Sequence, residues 1–120
     1  MRTQARNRWE RAVQVLRWLR EEFDLPKDLG FRVDSEIDGD EAIGETIEVD
    51  GGRLCVCLSA KMCRSVNEAV ETTIHEAAHV KLWDKGLGQL HGPKFWTTFG
   101  RMMDAFDHHG HLDSKSYSVE

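Results

Sequence analysis

Residues 75–96 read HEAAHVKLWDKGLGQLHGPKFW. Two histidines four positions apart, His75 and His79, enclose Glu76 in the pattern H-E-x-x-H. On a helix, residues i and i+4 stand one turn apart on one face. Both imidazoles can then reach a single Zn²⁺ at about 2.0–2.1 Å. Two ligands hold a catalytic ion poorly, and three protein ligands are the usual set. A third donor must therefore come from elsewhere in the chain.

The residues before this stretch say that it is helical. Ser65 and Glu68 form an S-x-x-E capping box. A helix is expected from there to about residues 83–85, with Gly86 as its stop. Val66, Val70, Ile74, Ala77 and Val80 form an apolar stripe. His75 and His79 lie about 40° apart on the side opposite that stripe. This disfavours a lone core histidine and leaves a pair of surface histidines as the plain alternative to a metal site. The candidate third ligands are His91, Asp104, Asp107, His108, His109 and His111. His91 sits between the glycine-containing loop 86–90 and the next helix start, where a turn can fold the chain back across the histidine pair.

Gly92-Pro93 opens the last helix, with proline where its missing N–H does no harm. Phe95, Phe99, Met102, Met103 and Phe106 form its apolar face. Residues 1–112 are expected to form one domain, and residues 113–120 a polar C-terminal tail. Upstream, residues 7–23 have helical spacing through Trp9, Val13, Leu16 and Leu19 or Arg20, with Phe23 closing the stripe. Strand-like runs follow near 31–36, 43–49 and 53–59. Asp50-Gly51-Gly52 joins the last two as a hairpin turn. In the third run Leu54, Val56 and Leu58 share one face, and Cys55, Cys57 and Ser59 the other. The expected class is α+β: an N-terminal helix, a small three-stranded, largely antiparallel sheet, a site-bearing helix and a C-terminal helix.

HEAAH followed by HGPKFW resembles the SprT-like zinc metallopeptidases and the related WLM-type proteases. In that group H-E-x-x-H is followed by a variable loop and an H-G-x-x-F/W segment that opens the next helix. The motifs cover about residues 65–106. The resemblance implies a minimal zincin-like fold. It implies His75, His79 and His91 as ligands of one catalytic Zn²⁺, and Glu76 as the catalytic acid–base residue. It implies a protein or peptide substrate, hydrolysed by a zinc-activated water with the glutamate as general base. In zincins generally, an edge strand pairs with extended substrate. Two other classes stand beside this reading: a catalytically idle zincin used as a binding or regulatory module, and a zinc hydrolase of non-peptide amides. Tyr117, Arg101 and the late histidines are candidate oxyanion stabilisers.

Composition sets the remaining expectations. The 120-residue chain is 40% hydrophobic and 31% charged, as in soluble globular proteins. No run approaches a membrane span, and the N-terminus lacks the apolar core of a secretory signal. Three cysteines, at 55, 57 and 63, suggest packing residues rather than a disulfide framework, and a cytoplasmic setting. The net charge of −5 argues against strong sequence-independent DNA binding. Six arginines against one glutamate in residues 1–20 keep a weak nucleic-acid contact open, with a solvated helix face as the plainer reading. Residues 34–45 nearly fit a calcium loop. Glu36 at the third loop position, Glu41 at an apolar position and flanking strands favour an acidic inter-strand turn.

Overall fold

Leu54 to Ser59 is buried at every position, the mark of a strand covered on both faces. In the computed structural model the backbone is described for residues 2–40, 42–87 and 90–118, and the side chains for 8–39, 42–87 and 90–109. The elements are α1 (Arg2–Glu22), β1 (Gly30–Asp34), β2 (Gly44–Glu48), β3 (Leu54–Ser59), α2 (Val66–Lys81) and α3 (Pro93–Ser118). The class is α+β, and the element order is the expected one.

The sheet corrects one expectation. Its order is β1-β3-β2, with β1 parallel and β2 antiparallel to β3, so it is mixed rather than largely antiparallel. β2 and β3 form the expected hairpin. Gly51 and Gly52 take positive φ (77° and 79°) in its turn, where a Cβ would be strained. β1 and β2 do not pair, because β3 enters between them. The segment joining them spans the end of β3 instead: Ser59 N–H donates to Ile43 O (2.9 Å) and Ala60 N–H to Asp34 O (2.7 Å). Both flanks of the acidic segment are thus tied to the C-terminal end of β3. Asp34 is held by Arg32 at 3.0 Å, and the side chains of Asp40 and Glu41 lie outside the described residues.

The faces of β3 divide as the alternation predicts. Leu54, Val56 and Leu58 join the main core. Cys55 and Cys57 pack with Ile37 over the second face, backed by Ala42, Ile47 and Val49. All three cysteines are buried and free. Burial pushes the Cys57 thiol up to about 12, which keeps it protonated and a poor ligand.

The helices pack on the other face. α1 buries Ala12, Val15, Leu16 and Leu19 against the core, a stripe rotated slightly from the expected one, with Trp9 and Phe23 at its edges. Ser65 caps α2 by accepting from Glu68 N–H at 3.1 Å. Glu68 Oε1 accepts in turn from Arg64 N–H (2.7 Å), one residue earlier than a standard capping box. α2 ends at Lys81, and a separate 3-10 turn, Trp83–Lys85, carries the chain to Gly86 at φ 73°. α3 buries Phe95 and Met102 and continues to Ser118, past the expected boundary at residue 112.

Candidate metal centre

α2 is buried over much of its length, because α1, the sheet and α3 all pack against it. His75 and His79 therefore do not form a surface pair. His79 is 8% exposed and His75 is half-buried. Their cover is Phe95, in the first turn of α3. Its ring lies 4.5 Å from that of His79, tilted by 31°, and 4.9 Å from that of His75. Phe95 thus fills the core and fixes both imidazoles at once, a double role that its place in an apolar stripe does not reveal.

His91 completes the cluster from the start of α3. The three ring centroids stand 4.8–5.2 Å apart, close to an equilateral triangle. His91 Nε2 lies 3.0 Å from His79 Nε2 and 3.3 Å from His75 Nε2. A tetrahedral ion with N–metal distances of 2.0–2.1 Å separates its ligand nitrogens by about 3.3 Å. The spacing fits. One shared proton can satisfy one such pair, whereas a cation satisfies all three lone pairs. Burial, with help from the other two histidines, pushes His75 down to about 4, so it is neutral. The triad could hold a metal ion. An all-imidazole set suits zinc, copper, iron or nickel.

Glu76 sits between the two α2 histidines in sequence and is 4% exposed. Thr46, on β2, donates its hydroxyl to Glu76 Oε1 at 2.8 Å. Burial pushes the Glu76 carboxyl up to about 7, the Thr46 bond opposing the rise and Glu45 adding to it. A cation in the triad would pull it back down. Gly44 makes the Thr46 contact possible: a Cβ there would stand 2.5 Å from Thr72 Cγ2 and 3.1 Å from Cys57 O. Only glycine lets β2 lie this close to α2.

Two clefts meet at His75, Glu76 and Gly44. One, of about 210 Å³, reaches Thr46, His79, His91 and Trp83. The other, of about 540 Å³, extends along the N-terminal half of α2. The site is therefore open on both sides, along the edge formed by β2.

The other candidates lie elsewhere. Asp104, Asp107 and His108 are exposed on α3, and His109 packs edge-on against Trp18 at 5.9 Å. Arg101 lines a separate groove with Lys81, Lys85 and Lys94. The side chains of His111 and Tyr117 lie outside the described residues. Of the α1 arginines, Arg8 lies over the Trp9 ring at 4.3 Å and Arg20 donates to Lys27 O at 3.2 Å. Among the described residues, no helix is long and apolar enough to cross a membrane. Thr46 carries no motif signal and escapes the sequence reading. Comparison with family models, curated proteins and solved structures returns no match.

Proposed function

We propose that the chain is a zinc-dependent metallopeptidase of the SprT-like kind, with His75, His79 and His91 as metal ligands and Glu76 as general base. The observation that carries this reading is the convergence of three imidazole nitrogens beside a buried carboxylate at the meeting of two open clefts. Zinc bound there supplies Lewis acidity, which polarises a carbonyl and acidifies water.

The chain's own residues supply the rest. Phe95 holds the His75 and His79 rings in place. Thr46 orients the Glu76 carboxylate through Oε1, leaving Oε2 to accept a proton from the attacking water. The same carboxyl returns that proton to the leaving amine. β2 is a sheet edge next to the site, a position suited to pairing with an extended chain. That edge and the two-sided opening favour a polypeptide over a small amide as substrate.

The test uses zinc-loaded protein against a panel of unfolded proteins, with and without chelator and with and without DNA. The expected result is cleavage that chelator abolishes and zinc restores. Glu76→Gln should keep one zinc per chain and lose about 10²–10⁴-fold in rate. Cleavage that survives chelation, or a fully active Glu76→Gln variant, would sink the proposal.

A further inference from the structure

The 540 Å³ cleft is much larger than the 210 Å³ one on the other side of Glu76, and its walls are of two kinds. Ile43 and Phe99 give it an apolar side, and Ile43 is among the few exposed large hydrophobic residues. Glu68 and Glu71 give it a carboxylate side, and no lysine or arginine lines it among the described residues. An apolar channel that ends in carboxylates matches one kind of side chain: a long aliphatic stem with a cationic tip.

The helix sets the reach. Glu71, His75 and His79 follow one another at i, i+4 spacing on one face of α2, with Glu68 one turn further up. At 1.5 Å per residue, Glu71 stands about 6 Å and Glu68 about 10 Å along the axis from His75. A lysine or arginine arm reaches roughly 6 Å from its Cα, using bonds of about 1.5 Å. A substrate residue bound beside His75 can therefore lay its stem along Phe99 and Ile43 and bring its cation to Glu71. Glu68 has one oxygen engaged by Arg64 N–H, so its charge is fixed in place by the helix cap. A lysine or arginine substrate also suits the chain's net charge of −5 and the acidic 34–50 stretch that contains β2.

We infer that the larger cleft is a specificity pocket for a lysine or arginine side chain next to the bond to be cleaved. Glu71 is its main charge-selecting residue. The inference rests on the peptidase reading for the word substrate, but the pocket's preference can be measured by binding alone.

The experiment titrates zinc-loaded Glu76→Gln protein into fluorescently labelled extended peptides. These differ at one position: lysine, leucine or glutamate. The lysine peptide should bind about tenfold or more tightly than the leucine peptide, and the glutamate peptide most weakly. Glu71→Lys should reverse the order of the lysine and glutamate peptides, and Glu71→Gln should reduce the lysine advantage without reversing it. Glu71 is exposed, so these changes leave the core intact. Leucine and lysine peptides that bind equally, or an order that Glu71→Lys leaves untouched, would overturn the pocket assignment. The same peptides are then offered to the unsubstituted zinc-loaded protein. Selective binding without cleavage would uphold the pocket and count against the peptidase. Cleavage indifferent to lysine would do the opposite.

Discussion

Thr46 Oγ1 lies 2.8 Å from Glu76 Oε1, so a hydrogen bond joins an edge strand to the helix that carries the histidine pair. The two residues are 30 positions apart in sequence. The bond holds a carboxylate that would otherwise be free to rotate about its terminal torsion. In the proposed hydrolysis Thr46 would act through Glu76, as a positioning residue.

Thr46→Val removes the donor and keeps the shape. A hydrogen bond to a charged group contributes about 1.5–3 kcal/mol, so the rate should fall on the order of 10–100-fold. The loss should appear in kcat, with KM and zinc stoichiometry little changed, and Thr46→Ser should recover most of it. A loss that falls wholly on KM, or a serine variant no better than valine, would show that Thr46 merely packs.

The three histidines should respond differently to removal. His91 is exposed at a helix start, whereas His79 is 8% exposed under Phe95. His91→Ala should weaken zinc binding by several orders of magnitude, measured by chelator competition, while the metal-free protein keeps its thermal midpoint. His79→Ala should weaken zinc binding and also lower that midpoint, because it leaves a void beside Phe95. Unchanged zinc affinity in His91→Ala would remove it from the ligand set.

How far the site is legible in sequence depends on the range of each signal. His75, Glu76 and His79 lie within one helical turn, so periodicity alone places them together. His91 needed a loop and a helix start, both marked by glycine and proline. The partnership of Thr46 with Glu76 depends on how β2 packs against α2, which no local pattern encodes. The sheet divides in the same way. Asp50-Gly51-Gly52 marks the β2–β3 hairpin, but nothing near β1 signals that it lies parallel to β3. Periodicity leaves the far flank of α2 open, and Phe95 of α3 closes it.

Metal-free stability should carry opposing pH signatures from the site. Glu76 is pushed up from an ordinary 4.5 to about 7, so its contribution is fully present below 4.5 and is lost as pH rises through 7. His75 is pushed down from 6.5 to about 4, so its contribution is present above 6.5 and is lost as pH falls through 4. In urea titrations with chelator present, the two partly cancel in the unsubstituted protein. Glu76→Gln removes the first and should gain stability relative to it as pH rises from 4.5 to 7, by on the order of 1–3 kcal/mol. A difference that stays flat over that range would mean that the carboxyl is not desolvated as described.

Gly44→Ala tests the close approach on which the Thr46 bond depends. The new Cβ would meet Thr72 Cγ2 at 2.5 Å and the backbone oxygen of Cys57 at 3.1 Å. Overpacking of this kind costs typically 1–3 kcal/mol, and the strand can relieve it only by moving away from α2. That movement lengthens the Thr46–Glu76 bond, so cleavage should fall together with stability while the histidine triad keeps its zinc. Thr72→Ser removes the methyl that the new Cβ meets. The Gly44→Ala, Thr72→Ser double variant should therefore recover more activity than Gly44→Ala alone, and not fully, because the contact with Cys57 O remains. The measurement is a double-mutant cycle read by both urea midpoint and kcat. Strict additivity in both readouts would show that Gly44 and Thr72 are not in the contact that sets the β2–α2 distance.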